Sequence, residues 1–499
     1  MSMSFETSLL PLLALALPII GALAIAGSGR RHRTLGRALI VGVAVVTFLV
    51  TVLLALAARD GLVRELTLVQ IAPPVWIIFR VDALGALFAA TVSGLFILAL
   101  IYAFGYLPDD RRQWRFHAFA MACQGCMIGV AFAGNLITLL VFYELFSLLS
   151  YPLITHDRSK VAIAAGLKYL VYIITGGSLI LIGTILVFHL GDDIRFAPGG
   201  LGDLNGSPRL VLTAFICLVT GFGVKAALMP LHGWVPDAHP AAPAPFSAVL
   251  SGVMVATGSF GIMRVMFEIF GTVRLVEMSV LPWLGTIAGA TVLLAAARAI
   301  AEDDLKRRLA WSTISQMAYV LLAVSTIGGQ ALTGAFVHIT HHAFLKGGLF
   351  FCAGLIATVT SASRVSELRG LAQRMPVTAL ALTVLALGLV GVPPLSGFIS
   401  KWLLGLGLAD AGAMIRLGVM LAGALLAAVY LWPIIYRIWL PTKDPRFAPA
   451  GGREASRWML GAMIAAVALA LILGVAAVLP GFPLELARSA AQSLVGPPP

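Results

Sequence analysis

Four ionisable side chains fall where a chain of this composition leaves little room for charge. Glu144 lies in Leu139-Leu-Val-Phe-Tyr-Glu144-Leu-Phe-Ser-Leu-Leu, and Lys225 in Thr220-Gly-Phe-Gly-Val-Lys225-Ala-Ala-Leu-Met-Pro230. Lys346 ends the run His338-Ile-Thr-His341-His342-Ala-Phe-Leu-Lys346, and Lys401 follows Gly391-Val-Pro393-Pro394-Leu-Ser-Gly397-Phe-Ile-Ser400. Burial strips solvent from an ammonium and disfavours its charged form, and an approaching carboxylate restores it. A Glu–Lys pair of adjustable separation is therefore a proton-affinity switch, with Glu144 acting on Lys225 or on Lys168, which sits near a helix start. A static neutralised pair is the plainer reading of one such couple. A series of lysines at membrane depth points to transport, since intramembrane charges are costly and mark functional sites by default.

His338, His341 and His342 share one helical face at i, i+3 and i+4. No carboxylate or cysteine completes a metal site there, and imidazoles between two lysines suit a proton wire. His232, Asp237 and His239, in Pro230-Leu-His232-Gly-Trp-Val-Pro-Asp237-Ala-His239, either line an aqueous entrance or cap the next helix.

The elements that hold these residues must be membrane helices. The 499 residues are 60% hydrophobic and 11% charged, against about 25% charged in ordinary globular chains. That excludes a water-soluble enzyme, a disordered protein and a disulfide-stapled secreted domain. Continuous rather than alternating apolar runs also exclude a transmembrane β-barrel. Cys123 and Cys126 form a C-x-x-C without a second pair, read as two small apolar residues on one buried face. Gly221-Phe-Gly223 lies inside a helix rather than after a strand and is no dinucleotide fingerprint.

The pattern predicts an all-α polytopic membrane protein of fourteen helices. They fall near 8–26, 36–57, 83–106, 116–133, 136–154, 162–188, 209–229, 243–270, 277–299, 309–327, 331–360, 376–402, 411–440 and 457–479. The first is no signal peptide, because its first basic residue, Arg30, follows the run. The chain reads as one transmembrane domain, 1–499, with three N-terminal helices in 1–107 and a last helix and tail in 457–499. Twenty-one of the 34 Lys and Arg fall in loops after odd-numbered helices and ten on the opposite side, leaving Lys168, Lys225 and Lys346 within helices. By the positive-inside rule both termini lie outside. The net charge of +12 is then largely topological and needs no nucleic-acid partner. Pro230 after Lys225 and Pro393-Pro394 before Lys401 break the seventh and twelfth helices. Broken helices five apart predict two inverted five-helix repeats, helices 4–8 over 116–270 and 9–13 over 277–440.

The string Lys225-Ala-Ala-Leu-Met-Pro-Leu-His-Gly-Trp-Val-Pro-Asp-Ala-His-Pro-Ala-Ala-Pro-Ala-Pro-Phe-Ser-Ala-Val-Leu-Ser-Gly resembles the signature of antiporter-like proton-conducting membrane subunits. That family spans respiratory complex I, membrane-bound hydrogenases and Mrp-type sodium/proton antiporters. Phe-Tyr-Glu144-Leu, His-His-Ala-Phe-Leu-Lys346-Gly and Gly-Val-Pro-Pro-Leu-Ser-Gly-Phe-Ile-Ser-Lys401 extend the match over roughly residues 80–440. The length, the lysine at 401 and the lack of a long C-terminal extension look most like the Mrp D-type subunit. The resemblance implies a proton relay of Glu144, Lys225, His338, His342, Lys346 and Lys401, with Lys168, His341, His232, Asp237 and Thr257 as possible modulators. It implies no metal, no quinone, flavin or iron–sulfur cofactor, and no covalent chemistry in this subunit. Other integral membrane subunits are the expected partners, with protons and Na+ or another monovalent cation as the ions, in the cell's inner membrane. One departure stands out. Where the family reads Val-Lys-Thr-Gly, this chain has Val255-Ala256-Thr257-Gly258. Either water and Thr257 bridge that gap or this copy conducts poorly, which leaves a structural, coupling subunit of a respiratory, hydrogenase or inorganic-carbon uptake complex as the second reading.

Overall fold

The computed structural model describes residues 4–28, 33–59, 61–72, 75–107, 112–191, 193–202, 204–449, 454–478 and 483–495. Arg30, Arg31, Arg111 and Arg453 of the charge count, and the tail prolines at 497–499, lie outside the described residues. A helix occupies each of the fourteen expected places. They begin with α1 (Leu10–Ser28), α2 (Arg33–Arg59), α3 (Ala83–Tyr106), α4 (Gln113–Ala131), α5 (Leu136–Ile154) and α6 (Lys160–Gly191). The middle of the chain forms α7 (Pro208–Lys225), α8 (Val235–Ala241), α9 (Ala244–Glu277), α10 (Leu281–Ala301), α11 (Leu305–Val324) and α12 (Gly329–Thr360). The last are α13 (Pro376–Val390), α14 (Ser396–Asp410), α15 (Met414–Trp439), α16 (Arg457–Val475) and α17 (Leu484–Val495). Among the described residues, eleven helices are long and apolar enough to cross a membrane. Hydrocarbon offers no partner to a bare peptide group, so helices that satisfy their own backbone are the natural solution.

The helix ends follow local chemistry. Asp82, Asn135, Ser207 and Asp304 cap α3, α5, α7 and α11 by accepting from backbone N–H groups three residues on. α3, α9 and α12 form the buried centre, while α2, α6, α10, α15 and α16 turn apolar faces outward. α9 carries two π-helical stretches, Leu250–Met254 and Val265–Phe270, on either side of Ala256. α6 and α7 approach closely at glycines: a Cβ on Gly221 would lie 2.6 Å from the Gly176 carbonyl oxygen.

Four expectations need correction. The chain is mostly helical but not all-α, because Ser4–Thr7 (β1), Leu62–Ala72 (β2) and Val75–Val81 (β3) form a sheet. β1 pairs with β2 in parallel and β2 with β3 antiparallel. Val75-Trp-Ile-Ile-Phe-Arg-Val is too short to cross a membrane, but its β-branched and aromatic residues suit a strand. Backbone bonds from Arg80 to Phe132 (2.7 Å) and from Gly134 to Ile78 (2.8 Å) sew β3 to the α4–α5 turn. The helix expected over 209–229 stops at Lys225, because the chain leaves the helical conformation at Ala227, whose φ is +57°, ahead of Pro230. The expected tail contains α17, which buries Leu486, Ala487, Ala490 and Leu494 and packs on α3 and α12. Arg264, counted among loop charges, lies inside α9.

Two halves of the chain share features at matching places. α6 and α12 are each 32 residues long. Asn135 before α5 bridges Arg195 beyond α6, and Asp304 before α11 bridges Arg364 beyond α12. α7 breaks before α8, and α13 breaks before α14.

Candidate functional site

The broken end of α7 delivers Lys225 into a fully buried pocket. Its Nζ donates to the Tyr169 hydroxyl at 2.8 Å and to Ser147 Oγ at 3.2 Å. Ser150 Oγ lies 2.6 Å from the same Tyr169 oxygen, extending the hydroxyl network along α5. The rings of Phe146, Tyr169, Tyr143 and Trp234 surround the ammonium at 4.5, 4.9, 5.8 and 5.8 Å, a cation–π cage that stands in for lost solvent. Trp234 also closes the end of α7, its indole Nε1 donating to the Val224 carbonyl at 2.8 Å.

Glu144 is on the same helix as Ser147, half-buried against α6, where a Cβ at Gly177 would collide with its carboxylate. Its Oε1 has no hydrogen-bond partner among the described residues. No ion pair joins it to Lys225 or Lys168 among the described residues, so the expected pair is adjacent rather than closed. Lys168 instead pairs with Asp237 of α8 at 2.7 Å, and Arg307 reaches the same carboxylate at 3.5 Å. The His232 ring lies tilted 5.3 Å from that of Trp311, and Gly233 approaches the stem of Lys168. Lys168, Asp237 and His232 thus gather at one partly exposed rim.

The second cluster is built on α12. Lys346 is fully buried and donates to the Leu309 carbonyl at 2.9 Å and, closely, to Ser312 Oγ. One turn back is His342, whose two ring nitrogens have no hydrogen-bond partner among the described residues. Its ring is 6.0 Å from that of His338, whose Nδ1 meets Ser400 Oγ at 2.9 Å. His341 is buried with a partnerless Nδ1, and the buried Gln316 amide likewise has no partner among the described residues. Beside Ser400, Lys401 donates to the Leu389 and Val390 carbonyls at 2.7 and 2.9 Å and faces the Tyr319 ring at 5.4 Å. A chain of buried imidazole and amide atoms without protein partners is polar space that water can fill.

Thr257 does not face such a partner: its hydroxyl donates to the Met254 carbonyl at 2.6 Å. Ala256 beside it is fully buried. Cys123 and Cys126 of the C-x-x-C are buried free thiols, and no three metal-ligating side chains gather among the described residues.

Several polar residues here were not singled out from sequence. Ser147 and Ser150 follow Glu144 at i+3 and i+6, a stripe legible in the apolar helix. A buried charge cluster was also missed. Arg264 grips Asp82 with two bonds of 2.5 and 2.8 Å and Glu268 at 2.6 Å. Arg80 lies 3.8 Å from Glu268 and donates to the Phe196 carbonyl at 2.6 Å. The i, i+4 spacing of Arg264 and Glu268 inside an apolar run was the available signal. Between α10 and α11, outside the span, burial raises the Asp303 carboxyl, yet hydrogen bonds from the Ser366 hydroxyl and amide outweigh it and hold the group below its ordinary range. Glu367 is held low by the amides of Arg364 and Ser363.

The chain matches the family described as NADH:quinone oxidoreductase/Mrp antiporter, TM, over residues 133–427. Residues 74–117 match NADH-Ubiquinone oxidoreductase (complex I), chain 5 N-terminus. It is 34% identical to NADH-quinone oxidoreductase subunit N of Desulforudis audaxviator over 420 residues, 82% of this chain and 83% of that protein. It is 28% identical to the D-type subunit of the Na(+)/H(+) antiporter of Alkalihalophilus pseudofirmus over 460 residues, 90% of each. Its fold is similar to a chain in the Mrp complex from Dietzia sp., with a TM-score of 0.87, 24% identity and 98% of both chains covered. This is a multi-pass membrane protein, an antiporter-like subunit of the kind found in Mrp- and complex I-like assemblies, and the chain belongs to the NADH:quinone oxidoreductase/Mrp antiporter transmembrane family.

Proposed function

We propose that this chain translocates protons as a subunit of a multisubunit monovalent cation/proton antiporter or a related energy-converting membrane complex. The carrying observation is that Lys225, Lys346 and Lys401 are all buried and all held by hydroxyls and carbonyls, with no carboxylate in an ion pair with any of them among the described residues. Unlike a lysine in a structural salt bridge, each can give up its proton without stranding a paired carboxylate. Glu144, beside Lys225 but not bonded to it, is the mobile charge that sets when Lys225 holds its proton. His338, His342 and Lys346 pass the proton inward, Lys401 ends the path, and Lys168, Asp237 and His232 line the approach, with His341 beside it.

The paired 32-residue helices, the two matching bridges and the two breaks support fourteen crossings in two inverted five-helix repeats. The loop charges support both termini on the outer side of the cell's inner membrane. Other integral membrane subunits complete the complex, and Na+ or a similar cation is the counter-ion.

The test is proton flux in proteoliposomes bearing the assembled complex. Lys225→Ala and Lys401→Ala should each abolish cation-driven flux while leaving assembly intact, and flux that survives both overturns the reading. One observation favours a second reading: Ala256 puts a fully buried apolar side chain on α9 between the lysine clusters. A coupling subunit that does not conduct would assemble normally and show flux indifferent to both lysines.

A further inference from the structure

We infer that His239 is the proton station between Lys225 and Lys346, doing in this chain what a cation at position 256 would do. The inference rests on the conduction reading above.

α9 crosses between the two lysine clusters but supplies no titratable group there. Ser251 Oγ is 2.6 Å from Thr313 Oγ1, which donates to the Leu309 carbonyl at 3.0 Å. Thr257 is turned to its own helix. Gly258 sits against Ala226, next to Lys225, and Gly252 sits against Ala343, three residues before Lys346. Ala256 lies on the span between them with only a methyl group.

His239 comes from a different element. It is fully buried on α8, the piece that follows the break after Lys225. Its ring centroid is 6.1 Å from Trp234, and the Trp234 ring is 5.8 Å from Lys225 Nζ. It is also 5.8 Å from Phe350, one turn beyond Lys346 on α12. Lys346 and Lys306 are the charged groups in electrostatic reach of it. Its backbone is fixed, since Ser247 Oγ donates to the His239 carbonyl at 2.7 Å.

The ring's bonding decides which nitrogen works. Nδ1 is 3.0 Å from the Val235 carbonyl, and a carbonyl only accepts, so the proton of the neutral ring resides on Nδ1. Nε2 then carries a lone pair, buried and without a protein partner among the described residues. The ammonium of Lys225 passes its proton through water to Nε2, forming an imidazolium. Nδ1–H stays on Val235 O, which cannot take a proton onward. The same Nε2 releases the proton through water to the neutral amine of Lys346. One positive charge moves from Lys225 to Lys346, and no other bond changes.

The experiment uses the assembled complex in proteoliposomes, with a pH-sensitive dye reading cation-driven proton flux. His239→Asn keeps a donor for the Val235 carbonyl but cannot titrate, and His239→Gln removes titration by a different geometry. Both should assemble normally and lose about 100-fold in flux, the scale of a missing acid–base group. Adding Ala256→Lys to His239→Asn should restore flux to within about tenfold of wild type, because a second titratable group then spans the gap. Unchanged flux in His239→Asn overturns the inference. So does a double variant as inactive as His239→Asn when Ala256→Lys alone conducts, and so does failure of both single variants to assemble, which assigns His239 a structural role. Flux that survives Lys225→Ala with Lys401→Ala would sink the conduction reading itself, a result distinct from any produced at His239.

Discussion

At the first break, between α7 and α8, the Val224 carbonyl is satisfied by the Trp234 indole, and Lys225 turns to two hydroxyls. At the second, between α13 and α14, no indole intervenes among the described residues, and Lys401 itself binds the last carbonyls of α13. The difference lies in what each partner can do. A hydroxyl accepts or donates, so Tyr169 and Ser147 can bond Lys225 as an ammonium and, reversed, donate to its amine. A carbonyl only accepts, and the negative end of a helix favours a cation. On the conduction reading, the first lysine is arranged to release and the second to hold.

Methionine at each lysine is the sharpest way to break that contrast. Both Lys225→Met and Lys401→Met should cut flux by about 100-fold. Thermal melting should separate them. Lys401→Met strips two carbonyls of their donor and should cost about 2 kcal/mol, whereas Lys225→Met leaves Tyr169 bonded to Ser150 and puts a thioether among rings that suit it. Equal losses of stability would erase the contrast.

Trp234→Phe converts the first break towards the second. With the Val224 carbonyl left to the 3.3 Å bond from the Ala227 amide alone, at a cost of about 1 kcal/mol for the lost hydrogen bond, Lys225 should turn to it and flux should fall about tenfold; a variant that conducts like wild type would deny the indole this part. Tyr169→Phe, which removes the reversible partner, should slow flux more than Ser400→Ala, which frees His338 Nδ1 and the Gly397 carbonyl but touches no lysine. The reverse ranking in the same assay would place the sensitive step in the second half.

The smallest effect concerns the clips that close the two long helices. The first joins Asn135, an uncharged cap, to Arg195, whose amide donates to Asp193 at 2.9 Å; the second runs through Asp303 and Glu367. Both carboxyls are held below their ordinary range. Their stabilisation is therefore complete above about pH 4.5 and is lost as pH falls through the depressed values. Hydrogen exchange at 363–367 should rise in acid while that at 134–138 stays level; parallel changes would contradict the assignment.

Much of this was legible in the sequence because membrane helices announce themselves by length and apolarity. A helix stands in each expected stretch, and among the described residues eleven are long and apolar enough to cross a membrane; both breaks could be read, as could the four charges held within apolar runs. What stayed hidden depended on distance in the chain. Tyr169 looks like any aromatic in α6 until α7 brings Lys225 against it, and Asp82 reads as a loop residue until Arg264, 182 positions away, closes on it. The sheet was missed because seven residues of β3 carry too little pattern beside long helices. Asp237 reads from sequence as either an entrance residue or a helix cap, and its pairing with Lys168 requires the fold.

The cluster of Arg264, Asp82, Glu268 and Arg80 has one more consequence. Two guanidiniums and two carboxylates sum to no net charge, and the field of such a group dies away more steeply than that of a single ion. A lone charge acts on another at 4 Å with about 4 kcal/mol at an effective dielectric of 20. The cluster binds β3, α3 and α9 by contacts of that kind yet is nearly silent a few residues further along α9. On the conduction reading, it fixes three elements without raising an electrostatic barrier to a proton moving through the molecule.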